Sequence, residues 1–367
     1  MALQSVIASV GYQWNVQLVN LQEVLDELDI FRKLTRVRLQ DIYNLVLAKG
    51  WTLGSSYLLP LMHGVIRLYL PSQVRLLTEF WRQQRPDMVV SLVPNFNRAL
   101  YRSLERACPD VPFVTILTDL VDYPPHFWIE KGQRQWFVCG TAKATEQAAR
   151  FGHPADRVVL TSGMILRPEF YNPQTSDRIE ERRRLGLNPG LPTGLVMFGG
   201  EGSNVMFSIA ERLGNSSETL QLIMICGRNV KLQQRLQSMK TRNRIVVEGF
   251  TKDMPYFMHL SDFFVGKPGP GSISEAMKMG LPVILERNAW TLPQERYNAD
   301  WVLEQGTGIV LKNFREVDNA VKALLHHGRL AEMQRNIAQM NNRAVFEIPA
   351  ILERIYQSAR QPEAQTS

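Results

Sequence analysis

Cysteine is scarce in this chain. Cys108, Cys139 and Cys226 are the only three in 367 residues, and no two stand in a CxxC pair. That count and spacing argue against a disulfide framework and a cysteine-based zinc site, and they fit a reducing compartment. Long apolar runs are missing too: no stretch approaches the roughly 18 consecutive apolar residues of a membrane span. The first residues show no basic segment ahead of an apolar core and cleavage site, so they do not read as a secretory signal. Internal repeats and low-complexity tracts are also absent.

What remains is an ordinary globular balance, 45% hydrophobic and 21% charged. The length suits two domains of average size. The net charge is +7, from 42 Lys and Arg against 35 Asp and Glu. A basic excess of this size suits nucleic acid, anionic lipid or a phosphorylated ligand, and charge alone does not choose among them.

Short apolar, β-branched runs alternate with helical patterns, the signature of a parallel α/β fold. Strands are expected within residues 16–21, 87–93, 112–117, 135–138 and 157–160. The polar stretch 173–190, bounded by Pro and Gly, reads as a linker between an N-terminal domain (1–172) and a C-terminal one (191–343), with a closing helix and tail over 344–367. In the second half, strands are expected at 194–198, 221–226, 244–247, 262–265 and 282–285. Residues 1–10 read as a helix with no strand before it. In a doubly wound sheet the first strand is commonly central, so the expectation is that the first domain lacks its first strand and that the true start lies upstream of Met1. A variant fold that needs no such strand is the alternative.

Several motifs at strand ends carry chemistry. Gly199, Gly200, Glu201, Gly202 and Ser203 follow one strand and precede a helix; such glycines let backbone approach an anion, although they also serve packing alone. Lys267 and Pro268 lead into Gly269, Pro270, Gly271 and Ser272. There Ser272 and Glu275 have the S-x-x-E spacing of a capping box, or else the helix start holds a diphosphate and Glu275 accepts ribose hydroxyls. Gln294, Glu295 and Asn298 fall in the first turns of a helix begun by Pro293; amides and a carboxylate there suit sugar hydroxyls, or form a plain polar face. Phe250 and Thr251 after one strand offer a stacking surface and a polar group for a base, with a core Phe as the alternative. Arg228 ends another strand within Cys226-Gly227-Arg228-Asn229. All these loops sit at the carboxyl ends of strands, where open α/β sheets bind ligands.

The segments FGGEGS, ICGRN, GFTKDM and GKPGPGSISEAMKMGLPVIL, followed by PQERYNA, resemble the C-terminal domain of the monogalactosyldiacylglycerol synthases. They resemble more distantly the lipid II-forming N-acetylglucosaminyltransferase and the diacylglycerol glucosyltransferases. The similarity is strongest over 194–305 and looser in the first half, through DMVVSLVP, VPFVTILTDL and SGMILRPEFY. It implies glycosyltransferase family 28 and a GT-B fold of two Rossmann-like domains facing across a cleft. It implies donor-phosphate contacts at Arg167 and Gly199–Ser203, uracil at Phe250 and Thr251, diphosphate at Gly269–Ser272, ribose at Glu275, and sugar at Gln294, Glu295 and Asn298. Asp119 matches an acceptor-side motif, and Trp128 lies near a tryptophan that contacts lipid in the plant enzymes. Family members also open with a glycine-rich loop bearing a histidine, implicated as the acceptor base, which this sequence lacks. His63, His126 and His153 read as surface or core histidines rather than replacements.

The stretch 22–80 mixes apolar, aromatic and basic residues, among them Trp51, Tyr57, Arg67 and Tyr69. Such a mixture suits a bilayer interface as well as ordinary core helices. The expectation is inverting hexose transfer from UDP-galactose or UDP-glucose to diacylglycerol or another lipid, at the cytoplasmic face of a membrane. No metal cofactor and no nucleic acid are expected, and anionic lipid is expected to stimulate. A non-catalytic relative that binds nucleotide sugar or lipid, and a UDP-sugar epimerase, are the other classes.

Overall fold

The structure is a computed structural model and describes residues 1–25 and 69–360. These divide into two compact units. One holds the described residues up to 165, residues 292–294 and those from 343 onward; the other holds 166–291 and 295–342.

The first unit comprises α1 (Ala2–Val10), α2 (Leu21–Leu25), α3 (Leu70–Gln84), β1 (Val89–Ser91), α4 (Asn97–Ala107), β2 (Phe113–Ile116), β3 (Trp136–Cys139), α5 (Ala142–Arg150) and β4 (Val158–Leu160). The second comprises α6 (Arg178–Arg184), β5 (Thr193–Met197), α7 (Val205–Gly214), β6 (Gln221–Ile225), α8 (Val230–Gln237), β7 (Arg244–Glu248), α9 (Met254–His259), β8 (Phe263–Gly266), α10 (Pro270–Lys278), β9 (Val283–Glu286), α11 (Arg296–Glu304), β10 (Gly308–Leu311), α12 (Val317–Leu325) and α13 (Arg329–Ala338). The last helix, α14 (Ala344–Arg360), belongs to the first unit.

In the first unit four parallel strands lie in the order β1-β2-β3-β4. Alternation along them sends Val114, Ile116 and Val138 to one face, against Ile348, Ile351, Leu352 and Ile355 of α14. Phe113 turns to the other face with Val74, Leu77 and Trp81 of α3 and Leu100 and Leu104 of α4. The run 16–21 is not a strand, contrary to its apolar pattern. Residues 12–20 carry no regular structure and α2 begins at Leu21. Leu18 and Val19 are exposed, so the run lacks the two-sided burial that holds a parallel strand.

The second unit is a six-stranded parallel sheet ordered β10-β9-β8-β5-β6-β7. Every residue of β5, β6 and β8 is buried. Val196, Leu222, Met224, Phe263 and Val265 meet α7, α8 and α12 on one face. Leu195, Met197, Ile223, Ile225 and Phe264 meet α9, α10 and Val302 of α11 on the other. β10 escapes the sequence pattern because it is short and begins with a glycine. Gly308 is needed there, since a Cβ at that position would lie 2.2 Å from the Val283 carbonyl oxygen of β9.

The charged stretch 173–190 is part of the second unit. Asp177 caps α6 by accepting the Ile179 amide (2.8 Å). Arg182 is buried; it donates to the Leu260 carbonyl (2.9 Å) and to Asp262 Oδ2 (2.8 Å). Asp262 also accepts from Arg178 (2.7 Å) and from the Thr193 amide at the start of β5 (2.7 Å). Asp262→Ala is expected to lower the unfolding free energy by about 3 kcal/mol in a denaturant melt, because it strands the Arg182 guanidinium without its counter-charge. Arg184→Ala on the same helix, at an exposed ion pair, should cost far less.

Candidate functional site

The second sheet changes direction at β5: the chain lays β6 and β7 to one side of it and β8, β9 and β10 to the other. Loops leaving the carboxyl ends of β5 and β8 therefore part, and such a crevice is where open α/β sheets take ligands. Gly199–Ser203 leaves β5, and Lys267–Gly271 leaves β8. The Cys226–Asn229 turn and Gly249–Thr251 leave β6 and β7 on the β5 side.

The first of these loops is locked to its neighbour by backbone contact. The Arg228 amide donates to the Gly200 carbonyl at 2.8 Å. A Cβ on Gly227 (φ +59°) would stand 2.1 Å from that same oxygen, and one on Gly202 (φ +63°) would stand 2.5 Å from the Cys226 carbonyl oxygen. Only glycine permits either approach. These two glycines matter for loop-to-loop contact, a role that no spacing motif signals; Gly227 was read only as part of a strand end.

Across the crevice, α10 begins at Pro270 with Gly269 as its N-cap, and no side chain caps it. The capping-box alternative is thereby corrected: Ser272 is the third helical residue, because Pro270 fits the first position with its fixed φ and missing N–H. The Gly271 and Ser272 amides have no carbonyl one turn back to bond and remain donors at the helix start.

Three cations at these loops each rest on a carboxylate. Lys267 Nζ lies 3.2 Å from Glu295 Oε1. Arg167 Nε lies 4.0 Å from Glu275 Oε1, and its Nη1 donates to the Lys252 carbonyl at 3.4 Å. Arg228 pairs with Glu201 at 2.9 Å, and its guanidinium sits 4.8 Å from the centre of the Phe250 ring. Burial pushes the Glu275 carboxyl up to about 7, with Arg167 pulling the other way. Phe250 is 53% exposed and so is no core residue. Thr251 Oγ1 accepts the Asp253 amide (3.0 Å) and closes a turn. Ser203 gives its carbonyl to the Met206 amide (3.0 Å) at the start of α7.

The residues after β9 divide in role. Asn298 is fully buried and donates from Nδ2 to the Pro268 carbonyl at 2.8 Å, so it braces the β8 loop from beneath. Glu295 is nearly buried and carries the Lys267 pair. Gln294 clusters with the first unit, and its Oε1 is buried.

In the first unit, Asp119 follows the carboxyl end of β2, and its Oδ2 accepts the Trp128 indole N–H at 2.8 Å. Trp128 is 1% exposed and packs with Leu117, Phe127 and Phe137 in the core of the first unit. Its amide donates to Asp122 Oδ1 (2.6 Å) and its carbonyl accepts from Asn97 (3.0 Å). Burial raises the Asp122 pKa against the amides that favour its charged form. His153 is buried, with Nε2 2.8 Å from the Glu130 carbonyl oxygen, and burial lowers its pKa. His126 stacks on Phe151. Tyr69 precedes α3 and accepts the Gln73 amide on its carbonyl (2.9 Å). Trp51, Tyr57, Arg67 and His63 lie outside the described residues. Among the described residues, no cluster of three or more His, Cys, Asp or Glu side chains is arranged to hold a metal, and no helix is long and apolar enough to cross a membrane.

Two Rossmann-like units with a ligand crevice at the second sheet's switch point define a GT-B protein. Structural likeness agrees: Acinetobacter baumannii MurG superposes with a TM-score of 0.56 at 14% identity, over 77% of each chain. Residues 195–354 match the glycosyltransferase family 28 C-terminal domain. The chain is 32% identical over 246 residues to monogalactosyldiacylglycerol synthase 1 of Arabidopsis thaliana, covering 65% of this chain and 45% of that one. It is 31% identical over 287 residues to probable monogalactosyldiacylglycerol synthase 2 of Oryza sativa subsp. japonica, covering 74% and 59%. The chain thus carries a glycosyltransferase family 28 C-terminal domain and is similar to the monogalactosyldiacylglycerol synthases, and it spans about half the length of the curated relatives it matches.

The Glu275 carboxyl has a raised pKa in the folded state. Its stability contribution is therefore full below the unfolded value near 4.5 and is lost as pH rises through about 7. Glu275→Gln should stabilise the chain at pH 8 by on the order of 2 kcal/mol and leave it nearly unchanged at pH 4, read from denaturant melts at both pH values. Gly227→Ala should destabilise by more than about 1 kcal/mol and speed amide exchange in residues 199–203. Gly271→Ala, inside α10 with open space around a new Cβ, should be neutral or stabilising.

Proposed function

We propose that this chain is a UDP-sugar-dependent hexosyltransferase that moves galactose or glucose to the hydroxyl of a membrane lipid, diacylglycerol, with inversion. The observation that carries the proposal is the crevice between the β5 and β8 loops. There a helix start with free amides faces a glycine loop, and Lys267 and Arg167 lie beside it. Such a site suits a diphosphate, whose charge the amides and cations offset. Exposed Phe250, with Arg228 against it, suits the flat face of a uracil. Glu275, at the same helix, suits the ribose hydroxyls.

In the reaction, the lipid hydroxyl oxygen bonds to the anomeric carbon from the face opposite the diphosphate. The bond from that carbon to the β-phosphate oxygen breaks, UDP leaves with the electron pair, and the hydroxyl proton passes to a base. Helix amides and cations are worth most as charge grows on the departing oxygen. On the acceptor side we place Asp119, whose carboxylate Trp128 orients. The similarity to plant galactolipid synthases supports the lipid acceptor. The net charge of +7 supports work at an anionic membrane surface, on its cytoplasmic face, with anionic lipid as a stimulant.

The test is a transfer assay with UDP-galactose and UDP-glucose on diacylglycerol in anionic liposomes. Monohexosyl-diacylglycerol from one donor is the expected outcome. UDP binding without glycolipid would overturn the catalytic proposal in favour of a binding protein. Failure to bind UDP would overturn the donor site itself.

A further inference from the structure

The Lys267–Glu295 pair is built differently from the Arg228–Glu201 pair at the crevice. The Arg228–Glu201 pair is exposed on both sides, with 64% and 70% of the two side chains accessible. The Glu295 side chain is only 12% accessible, while that of Lys267 is 46% accessible. A buried carboxylate thus depends on a cation that solvent, and any ligand, can reach. Water screens an exposed pair and leaves little to gain or lose, whereas a desolvated carboxylate is costly without its counter-charge.

The lysine is also placed between the two loops that define the crevice. A Cβ on Gly199 would lie 3.9 Å from Lys267 Cε, and one on Gly269 would lie 3.6 Å from it. The aliphatic stem therefore runs beside both loops, close enough that an added Cβ at either glycine would be in ordinary van der Waals contact with it. The Gly269 amide closes onto the Lys267 carbonyl at 2.8 Å, and Asn298 holds the Pro268 carbonyl from beneath. The stem therefore rises from a fixed turn, and its ammonium is the mobile part. It is a compact point charge with three donors, able to serve two anions in turn.

We propose that Glu295 is the internal counter-ion of Lys267, and that the diphosphate of the donor takes Lys267 over, releasing the Glu295 carboxylate to accept hydroxyls from the attached sugar. The inference rests on the donor-site reading above and adds an order of events to it. A diphosphate carries more charge than one carboxylate and attracts the ammonium more strongly. Once the ammonium turns toward it, Glu295 is left as a nearly buried acceptor with no donor, and a sugar hydroxyl is the neutral group that satisfies it. Sugar recognition is thereby coupled to diphosphate recognition. A free hexose meets a Glu295 still occupied by Lys267, whereas a UDP-hexose brings both parts together. UDP alone breaks the pair without supplying a hydroxyl, so Glu295 opposes UDP binding.

The experiment is calorimetric titration of UDP into the full chain and four variants, each checked by thermal melting: K267M, K267R, E295Q and the double variant K267M/E295Q. K267M should weaken UDP binding by about tenfold, a change of about 1.4 kcal/mol. K267R should stay within about threefold of the unaltered chain, since the charge persists on a stem of similar reach. E295Q should bind UDP several-fold more tightly than the unaltered chain, because nothing then competes for the ammonium. The double variant should bind as weakly as K267M; it keeps the comparison valid if K267M alone melts early from its stranded carboxylate. If UDP binds the unaltered chain and K267M equally, or if E295Q weakens UDP binding, the exchange is wrong while the donor site stands. If UDP fails to bind the unaltered chain, the donor-site reading falls and the inference falls with it.

Discussion

Backbone touches backbone at the carboxyl end of the second sheet, and the rest of the site depends on that contact. Gly227 and Gly202 bring the turn after β6 against the glycine loop after β5 at distances no Cβ tolerates. The Arg228 amide then fastens the two at Gly200. With that side of the crevice rigid, the opposite side needs only a helix that begins at the right place, and Pro270 supplies it. The buried strands β5 and β8 hold the two sides at adjacent positions in the sheet. A site built this way presents amides and cations whose orientation is set before any ligand arrives, which is the economical way to offset a diphosphate.

Electrostatics at the crevice follow a single pattern. Each cation rests on a carboxylate, so without ligand the site carries less positive charge than its three cations alone would give it. Neutral pairing limits the self-repulsion that a cluster of free arginines and lysines would impose. It also makes an incoming anion compete with an internal partner, and burial sets how strong that competition is at each pair. Glu201 is exposed and screened by water, whereas the Glu275 and Glu295 side chains are mostly covered.

Much of the second unit was legible in its sequence because its strands are covered on both faces and read as continuous apolar runs ending in glycine loops. The loops that gather at the crevice were legible for the same reason: a ligand-binding loop must follow a strand, and the strands were plain. Other features were hidden. β10 opens with Gly308, where a Cβ would strike β9, and only three apolar residues follow it, too short a run to read as a strand. Arg182 lay in a polar stretch that read as a linker, and only the fold shows its guanidinium buried on Asp262. Ser272 mimicked a cap because cap spacing does not reveal where a helix begins. Residues 16–21 had the composition of a strand without a sheet to join. The burial of Trp128 and its hydrogen bond to Asp119 were not legible in the sequence, because both depend on how the first unit packs.

Binding of a nucleoside diphosphate across the β5–β8 switch of the second unit is open to hydrogen–deuterium exchange with and without UDP. Slower exchange in residues 199–203, 226–229 and 267–275, with the strands unchanged, is the expected result. UDP-dependent protection confined to other segments, with these loops exchanging as before, would contradict it.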